Sequence, residues 1–370
     1  MIKFGFRYSL RYPGLFVLSL AIRRIIDLIL KIFYSKSMSF LNIFCIYAVQ
    51  IIMCSIFLLV QNRRIKSTVK PQFLGITLIE NTVVLHRPDS NFKIIVLLIF
   101  SAFFEIIGAL VRRLASNSVL NYDELYAKYR SFEIIISSIL CYLTLKTQIY
   151  RHHRFALIIM LIYLIIVILI EIIMGDNYNQ LLITLSSSVL RVYLDTIEKY
   201  LFNCDFIDLN KMMIFEGIIS IIISIMTFGF DITQLEISNL VSAYNDEKTP
   251  FTLVMFLLFL YCIATLFKNI YRRETIKEFT PMTRILAQSI LDPYFIINGR
   301  HNFGSDTSFA LILFFSFVMI FCSCVYNEVF VLYCFGLEKN THLEIAKNTD
   351  RLMLEENNTL DSNILEEKDS

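Results

Sequence analysis

Apolar positions along this chain gather in long, nearly unbroken runs, with polar residues confined to the stretches between them. Nine runs stand out, at 41–60, 94–110, 132–145, 155–174, 181–202, 212–230, 251–267, 282–297 and 309–335. A helix needs about 20 apolar residues to cross a ~30 Å hydrocarbon core at 1.5 Å per residue, and most of these runs reach or approach that length. A tenth run, 15–33, is interrupted by Arg23, Arg24 and Asp27. A charge at the centre of a spanning helix costs roughly 2.5–3.5 kcal/mol on insertion scales, and an Arg23–Asp27 pair at i,i+4 would lower that. Two readings stay open for this run: a buried tenth span, or an amphipathic helix on the membrane surface. The pattern predicts an all-α, polytopic membrane bundle.

Composition agrees. Hydrophobic residues make up 56% of the 370, and charged residues only 18% against a globular norm of about 25%. The net charge of +2 joins unlike parts. From Thr341 onward, eight acids and three bases give −5, so residues 1–340 carry +7. The bases are scattered between apolar runs, so nucleic acid is not an expected partner. Most of the 8 cysteines sit inside the runs and none forms a CxxC pair, which reads as reduced apolar filler. The N-terminus lacks the pattern of a cleaved signal peptide.

Loop charges set the orientation. With ten spans and both termini in the cytosol, the inward loops 61–93, 147–154, 203–211 and 268–280 hold thirteen Lys and Arg. The outward loops 34–40, 115–130, 175–180, 231–250 and 298–306 hold five, as the positive-inside rule requires. A weak internal repeat accompanies this. The stretch 94–113 ends in an Arg-Arg pair and leads to a helix opening at Arg130. The stretch 251–273 also ends in Arg-Arg and leads to a helix opening at Arg284. Five spans repeated would invert the second copy, a recurring plan of secondary transporters.

Ionisable groups inside spans mark a pathway or a partner. Glu105 lies in the middle of its run, and either a functional role or pairing to a neighbouring helix would explain it. Arg191, Asp195, Glu198 and Lys199 share one helix, where i,i+4 spacing allows local neutralisation. Arg130 and Glu133 lie one turn apart at the start of a run, as do Arg284 and Gln288. Arginine suits bidentate capture of carboxylate or phosphate, but either residue would serve equally as a headgroup anchor. Glu216 opens another run beside Gly217, and Tyr326-Asn327 lies inside the last. No catalytic or metal-binding motif is found, so no enzyme activity, metal or cofactor is expected. Arg151-His152-His153-Arg154 reads as a basic cytosolic loop in preference to a metal site. The Asn357-Asn358-Thr359 sequon lies in the tail.

Several of these marks, in this order, resemble the drug/metabolite transporter (EamA-like) superfamily. They are most similar to its nucleotide-sugar-transporter-like solute carrier family 35, subfamily F. The stretch Tyr129-Arg130-Ser131-Phe132-Glu133-Ile134-Ile135, followed by Leu143-Thr144-Leu145-Lys146, resembles that family's Arg-Gly-x-x-Ile-Ile-Phe helix and its exit. Ile197-Glu198-Lys199-Tyr200-Leu201 resembles its Glu-Glu-Lys-Phe-Val stretch, and Phe215-Glu216-Gly217 its Glu-Gly pair. Thr283-Arg284-Ile285-Leu286-Ala287-Gln288-Ser289 resembles Thr-Arg-Met-Val-Leu-Asp-Ser, and Tyr326-Asn327 the Tyr-Asn closing its last span. Glu105 stands where the family carries an acid in its third helix. The chain differs at Ser131, Ile197, Gln288 and Leu291, and in its first helix.

The resemblance implies about ten transmembrane helices in two inverted five-helix halves, 13–174 and 181–336, between a cytosolic N-terminus (1–12) and an acidic, disordered cytosolic tail (337–370). It implies a transporter of a small anionic solute, nucleotide-sugar-like or another metabolite, working by alternating access. Arg130, Arg284, Gln288, Tyr326 and Asn327 would bind solute. Glu105, Glu198 and Glu216 would couple an ion or order the helices. The expected partners are the solute, the lipid bilayer and a second copy in a homodimer. The expected location is an endomembrane of Golgi, ER or lysosomal kind in preference to the plasma membrane. The competing expectation is a non-transporting scaffold that recruits partners through the tail, which the Gln288 and Leu291 differences favour. From the loop charges, tags at both ends should be cut by protease only from the cytosolic side of intact vesicles. Tags on opposite sides would reject an even number of spans.

Overall fold

The computed structural model describes residues 2–4, 11–33, 39–67, 91–116, 127–147, 149–174, 178–204, 207–244, 251–298, 306–326 and 328–332. Asn327 and the tail 337–370 lie outside them. The described chain is almost entirely helical, with one antiparallel pairing of two three-residue strands. The helices are α1 (Arg11–Phe33), α2 (Ser39–Ser67), α3 (Asn91–Ser116), α4 (Arg130–Leu145), α5 (Arg151–Met174) and α6 (Tyr178–Cys204). They continue as α7 (Leu209–Tyr244), α8 (Phe251–Glu278), α9 (Pro281–Ser289), α10 (Asp292–Asn298) and α11 (Asp306–Tyr326). The pairing joins β1 (Ile2–Phe4) to β2 (Phe330–Leu332), with Lys3 opposite Val331, so the start of the chain lies beside the segment that follows α11.

Five of these helices are long and apolar enough to cross a membrane: α2 over Phe44–Gln61, α5 over Arg151–Ile170, α7 over Leu209–Met226, α8 over Phe251–Glu278 and α11 over Asp306–Tyr326. Their outer faces are aliphatic and aromatic, with Ile173 and Met226 about four-fifths exposed. The interior is where the polar residues sit, including Arg130, Arg273 and Arg284 among the largest fully buried side chains. A bundle with oily sides and charged interior suits a lipid solvent and would be insoluble in water.

The packing is specific. The helix α1 lies along α8, and α3 along α6. Contacts also join α2 to α7, α5 to α11, α4 to α6 and α9 to α1. The helix α2 touches α8 and α3 touches α7; α4 touches α5 and α9, and α9 touches α11. Buried serines such as Ser137, Ser188 and Ser220 line these faces, since small residues let helix backbones approach where no hydrophobic force draws helices together in lipid.

Several sequence readings change here. The interrupted run 15–33 is one continuous helix, α1, packed on the bundle. Its charges pair differently from the i,i+4 expectation. Arg24 bonds Asp27 at 3.1 Å, while Arg23 donates to the Tyr261 hydroxyl at 2.7 Å and lies over that ring. The expected loop 231–250 is helical as far as Tyr244, because Ile232, Leu235, Leu240 and Val241 continue the apolar pattern beyond Asp231. The weak run 282–297 is two helices. Arg272 and Arg273, counted as inward loop charges, are buried in α8, and Arg130, counted outward, is buried at the start of α4. Removing them from the loop tally leaves its inward bias in place.

Gly217 sets the α2–α7 spacing. A Cβ there would meet Ile51 Cγ1 at 2.8 Å and the Tyr47 carbonyl at 3.6 Å. Gly217→Val should therefore lower unfolding stability in detergent by about 1–3 kcal/mol through overpacking. Adding Ile51→Ala to the same chain should restore part of the loss. A silent Gly217→Val would mean that the two helices do not approach this closely.

Candidate functional site: a buried chain of alternating charge

Two local breaks in the helices position the site. Helix α8 stops at Glu278, and Thr280 then caps α9, its side chain accepting from the Thr283 N–H while Pro281 occupies the first turn. This turns the chain so that Arg284 enters the interior one turn later. Helix α9 in turn ends at Ser289. Pro293 has no N–H to continue the ladder, so the helix is interrupted and restarts as α10 at Asp292. The break aims Asp292 at α4.

From there the side chains form a sequence of alternating sign. Asp292 holds Arg130 in a two-point grip, Oδ2 to Nε at 3.0 Å and Oδ1 to Nη2 at 2.9 Å. Arg130 Nη1 donates to Glu133 Oε2 at 2.6 Å, and Glu133 Oε1 accepts from Arg284 Nη2 at 3.0 Å. Arg284 also donates to Asp195 and, at 2.9 Å, to Gln288 Oε1. Arg272 bridges Asp195 and Glu198 on α6. Arg273 meets Glu198 at 2.9 Å, Glu216 on α7, and Glu105 on α3 at 3.5 Å. Ser101 closes the far end by donating to Glu216.

The chain thus runs through α10, α4, α9, α6, α8, α7 and α3. Glu133, Asp195 and Glu198 each bridge two arginines, and Arg284, Arg272 and Arg273 each bridge two or more carboxylates. Taking an ion out of water costs several kcal/mol, which close opposite charges and hydrogen bonds offset only when the geometry is good. Here each arginine meets carboxylate oxygens at hydrogen-bonding approach, as in the Arg130–Asp292 grip at 2.9–3.0 Å. Three buried atoms keep no hydrogen-bond partner: Arg284 Nε, Arg273 Nη1 and Glu198 Oε2. The network therefore retains donor and acceptor capacity at its centre.

Of the residues expected to bind solute, Arg130, Arg284 and Gln288 meet in this chain, and all three expected coupling residues, Glu105, Glu198 and Glu216, belong to it. Tyr326 does not. Its hydroxyl is 3.4 Å from Ser138 Oγ and its ring stacks on His153. Arg284 is 1% exposed, which is incompatible with a headgroup anchor. Local neutralisation of Asp195 along its own helix also gives way to partners on α8 and α9. Lys199 instead donates to the Lys277 carbonyl at 2.9 Å.

Ser101, Glu133, Asp195, Arg272, Arg273 and Asp292 are the members that sequence reading did not assign to the site. The Asp292-Pro293 step was the available signal for the last of these. Elsewhere, a cleft of about 360 Å³ opens between Gln61, Asp208, Asn210, Tyr271, Glu274 and Lys277. The charge network contains no histidine or cysteine. Metal-donor residues of that kind come together among the described residues at His152, His153 and Glu328. No protein-family model matches the chain, and no curated protein matches it in sequence.

Arg273→Gln leaves Glu105 and Glu216 without their arginine and Glu198 with Arg272 alone, and should cost about 3–5 kcal/mol of unfolding stability. Arg24→Gln, at a pair whose side chains are 21% and 22% exposed, should change it by less than about 1 kcal/mol. Equal small effects would mean that the network relaxes around the loss.

Proposed function

We propose that this chain is a multi-pass membrane transporter of the drug/metabolite transporter type. It would carry a small anionic solute by alternating access of two inverted five-helix halves, 13–174 and 181–336. One observation carries this reading: packing partners exchange when helices are matched five apart. With α1 matched to α6, α2 to α7, α3 to α8, α4 to α9–α10 and α5 to α11, the α1–α8 contact becomes α6–α3. Likewise α4–α6 becomes α9–α1, α2–α8 becomes α7–α3, and α4–α5 becomes α9–α11. The contacts α2–α7, α5–α11 and α4–α9 map onto themselves. This exchange supports a two-fold relation between the halves, while the contacts α6–α8, α7–α8, α6–α9 and α8–α9 have no counterpart of similar extent in the first half among the described residues.

Two further observations support it. The β1–β2 pairing sets the two ends of the bundle side by side, as an even number of spans requires. The interrupted helix α9–α10 carries charged residues at the interface, a form that transporter sites share. On this reading, alongside the helix packing and contacts such as Arg23–Tyr261 and His152–Glu328, four links of the charge network cross between the halves: Arg130–Asp292, Glu133–Arg284, Glu105–Arg273 and Ser101–Glu216. They are the contacts that rocking would break. A carboxylate or phosphate on the solute would compete with Asp292 and Glu133 for the two arginine forks, and the unpartnered Arg284 Nε would be a further donor to it.

The alternative is a non-transporting scaffold. It is favoured by the fact that protein carboxylates already engage Arg130 and Arg284. A thermal-shift screen of purified protein against nucleotides, nucleotide sugars and carboxylates separates the two, since a ligand at 100 times its Kd adds about 2.7 kcal/mol of stability. For a ligand so found, Arg284→Lys should weaken binding nearly as much as Arg284→Ala, each by about 1.5–3 kcal/mol, because lysine lacks the planar fork. Wild-type binding by Arg284→Lys would remove Arg284 from the site. The absence of any stabilising ligand would favour the scaffold.

A further inference from the structure

The sequence placed His152 and His153 in a solvated basic loop, yet the fold buries His152 to 2% exposure at the first turn of α5. Its Nε2 stands 3.2 Å from Glu328 Oε1, in the turn after α11. That approach is not aligned as a hydrogen bond, and neither ring nitrogen of His152 has a hydrogen-bond partner. A buried imidazole ordinarily satisfies at least one nitrogen. His153 lies alongside, its ring 4.1 Å from that of His152 and stacked on Tyr326 at 4.3 Å. One donor atom from each of His152, His153 and Glu328 lies within 4.8 Å of the others.

We propose that these three residues form a binding site for a zinc-class divalent metal ion. Zinc binds imidazole nitrogen at about 2.0–2.1 Å and carboxylate oxygen at about 2.0–2.2 Å, so two such ligands at a tetrahedral angle lie about 3.4 Å apart. The Nε2–Oε1 separation of 3.2 Å matches that spacing. A shared ion would account for this close approach without hydrogen-bond alignment.

The backbone at Glu328 supports the same reading. The Val329 N–H bonds the Cys324 carbonyl at 2.9 Å and the Glu328 N–H bonds the Val325 carbonyl at 3.2 Å, so α11 ends in a Schellman turn. Glu328 occupies its left-handed position at φ 55°, where glycine is the usual residue. A glutamate held there directs its carboxylate back to His152, which glycine would not provide.

His153 Nδ1 accepts a long bond of 3.3 Å from the Tyr150 N–H. A neutral imidazole has one nitrogen lone pair, so ligation through either nitrogen exchanges that bond for a metal bond. Three protein ligands leave a fourth position for water. The ion would tie the start of α5 to the end of α11, two helices packed on each other. The proposal is independent of the transport reading.

The test uses full-length protein purified through a histidine-free tag and stripped with chelator. Titration with Co2+, followed by its visible absorption, should show one ion per chain with the intense bands of a four-coordinate site, displaced by Zn2+. Glu328→Gln and His152→Asn should each weaken uptake by more than about a hundredfold, beyond the 10–100-fold typical of losing a residue that only supports a ligand. Melting in chelator, compared with wild type, shows whether each variant is folded. Should a variant not fold, X-ray absorption of the wild-type zinc complex decides: nitrogen and oxygen ligation with two imidazoles supports the site, and sulfur ligation overturns it. No Co2+ uptake by the wild type, or equal uptake by folded variants, also overturns it.

Discussion

An arginine inside an apolar bundle must meet a carboxylate, and the architecture of this protein follows from meeting that demand four times over. Arg130, Arg284, Arg272 and Arg273 are all nearly or fully buried. No single pair satisfies them. Each guanidinium presents several donors in a fixed fork, so one carboxylate leaves the remainder unpaired, and the solution is a chain in which acids and bases alternate. The local irregularities serve it. Thr280 and Pro281 begin α9 at the point that delivers Arg284, and Pro293 breaks the helix where Asp292 must reach Arg130.

The same chain decides how the helices can be held together. In lipid, apolar faces gain little by touching each other, so close packing and polar contacts carry the association. Small residues such as Gly217 and the buried serines supply the close packing, and the ion pairs supply specificity of partner. The charges are unevenly distributed. Helices α6 to α10 contribute Asp195, Glu198, Glu216, Arg272, Arg273, Arg284 and Asp292, while α3 and α4 contribute Glu105, Arg130 and Glu133. On the proposed division into halves, one half carries a nearly complete network and the other docks onto it. The boundary is also packed with apolar side chains, Ile134 and Met160 against Met282 and Met319, and Cys54 and Leu98 against Leu201 and Met212.

Much of the helical layout was legible from run length alone, because a bilayer fixes how long a span must be. The site was legible in part. Arg130, Arg284, Glu105, Glu198 and Glu216 stood out because a charge in an apolar run is conspicuous whatever it touches. Their partners were harder to see. Asp195 had bases at i±4, and that spacing suggested neutralisation on its own helix, a rule that holds for helix surfaces facing water. Arg272 and Arg273 follow a fall in hydropathy that mimics the end of a span, although the helix runs on to Glu278. Asp292 lay in a weak run whose break only the backbone reveals. His152 looked solvated because its neighbours are Arg151 and Arg154, and sequence does not show that it lies beneath the turn after α11.

The charge chain can hold the bundle together only if its cross-helix pairs are energetically coupled and not merely close. A double-mutant cycle at Arg284 and Asp195 measures this most directly, using reversible unfolding of the purified protein in detergent. Arg284→Met and Asp195→Leu should each be strongly destabilising, because each takes one of two counter-charges from its buried partners. Together they should cost well under the sum, with an interaction energy of about 1–3 kcal/mol. Additive losses would contradict the account, since they would mean that the two residues stabilise the bundle independently and that the charge chain is not one structure.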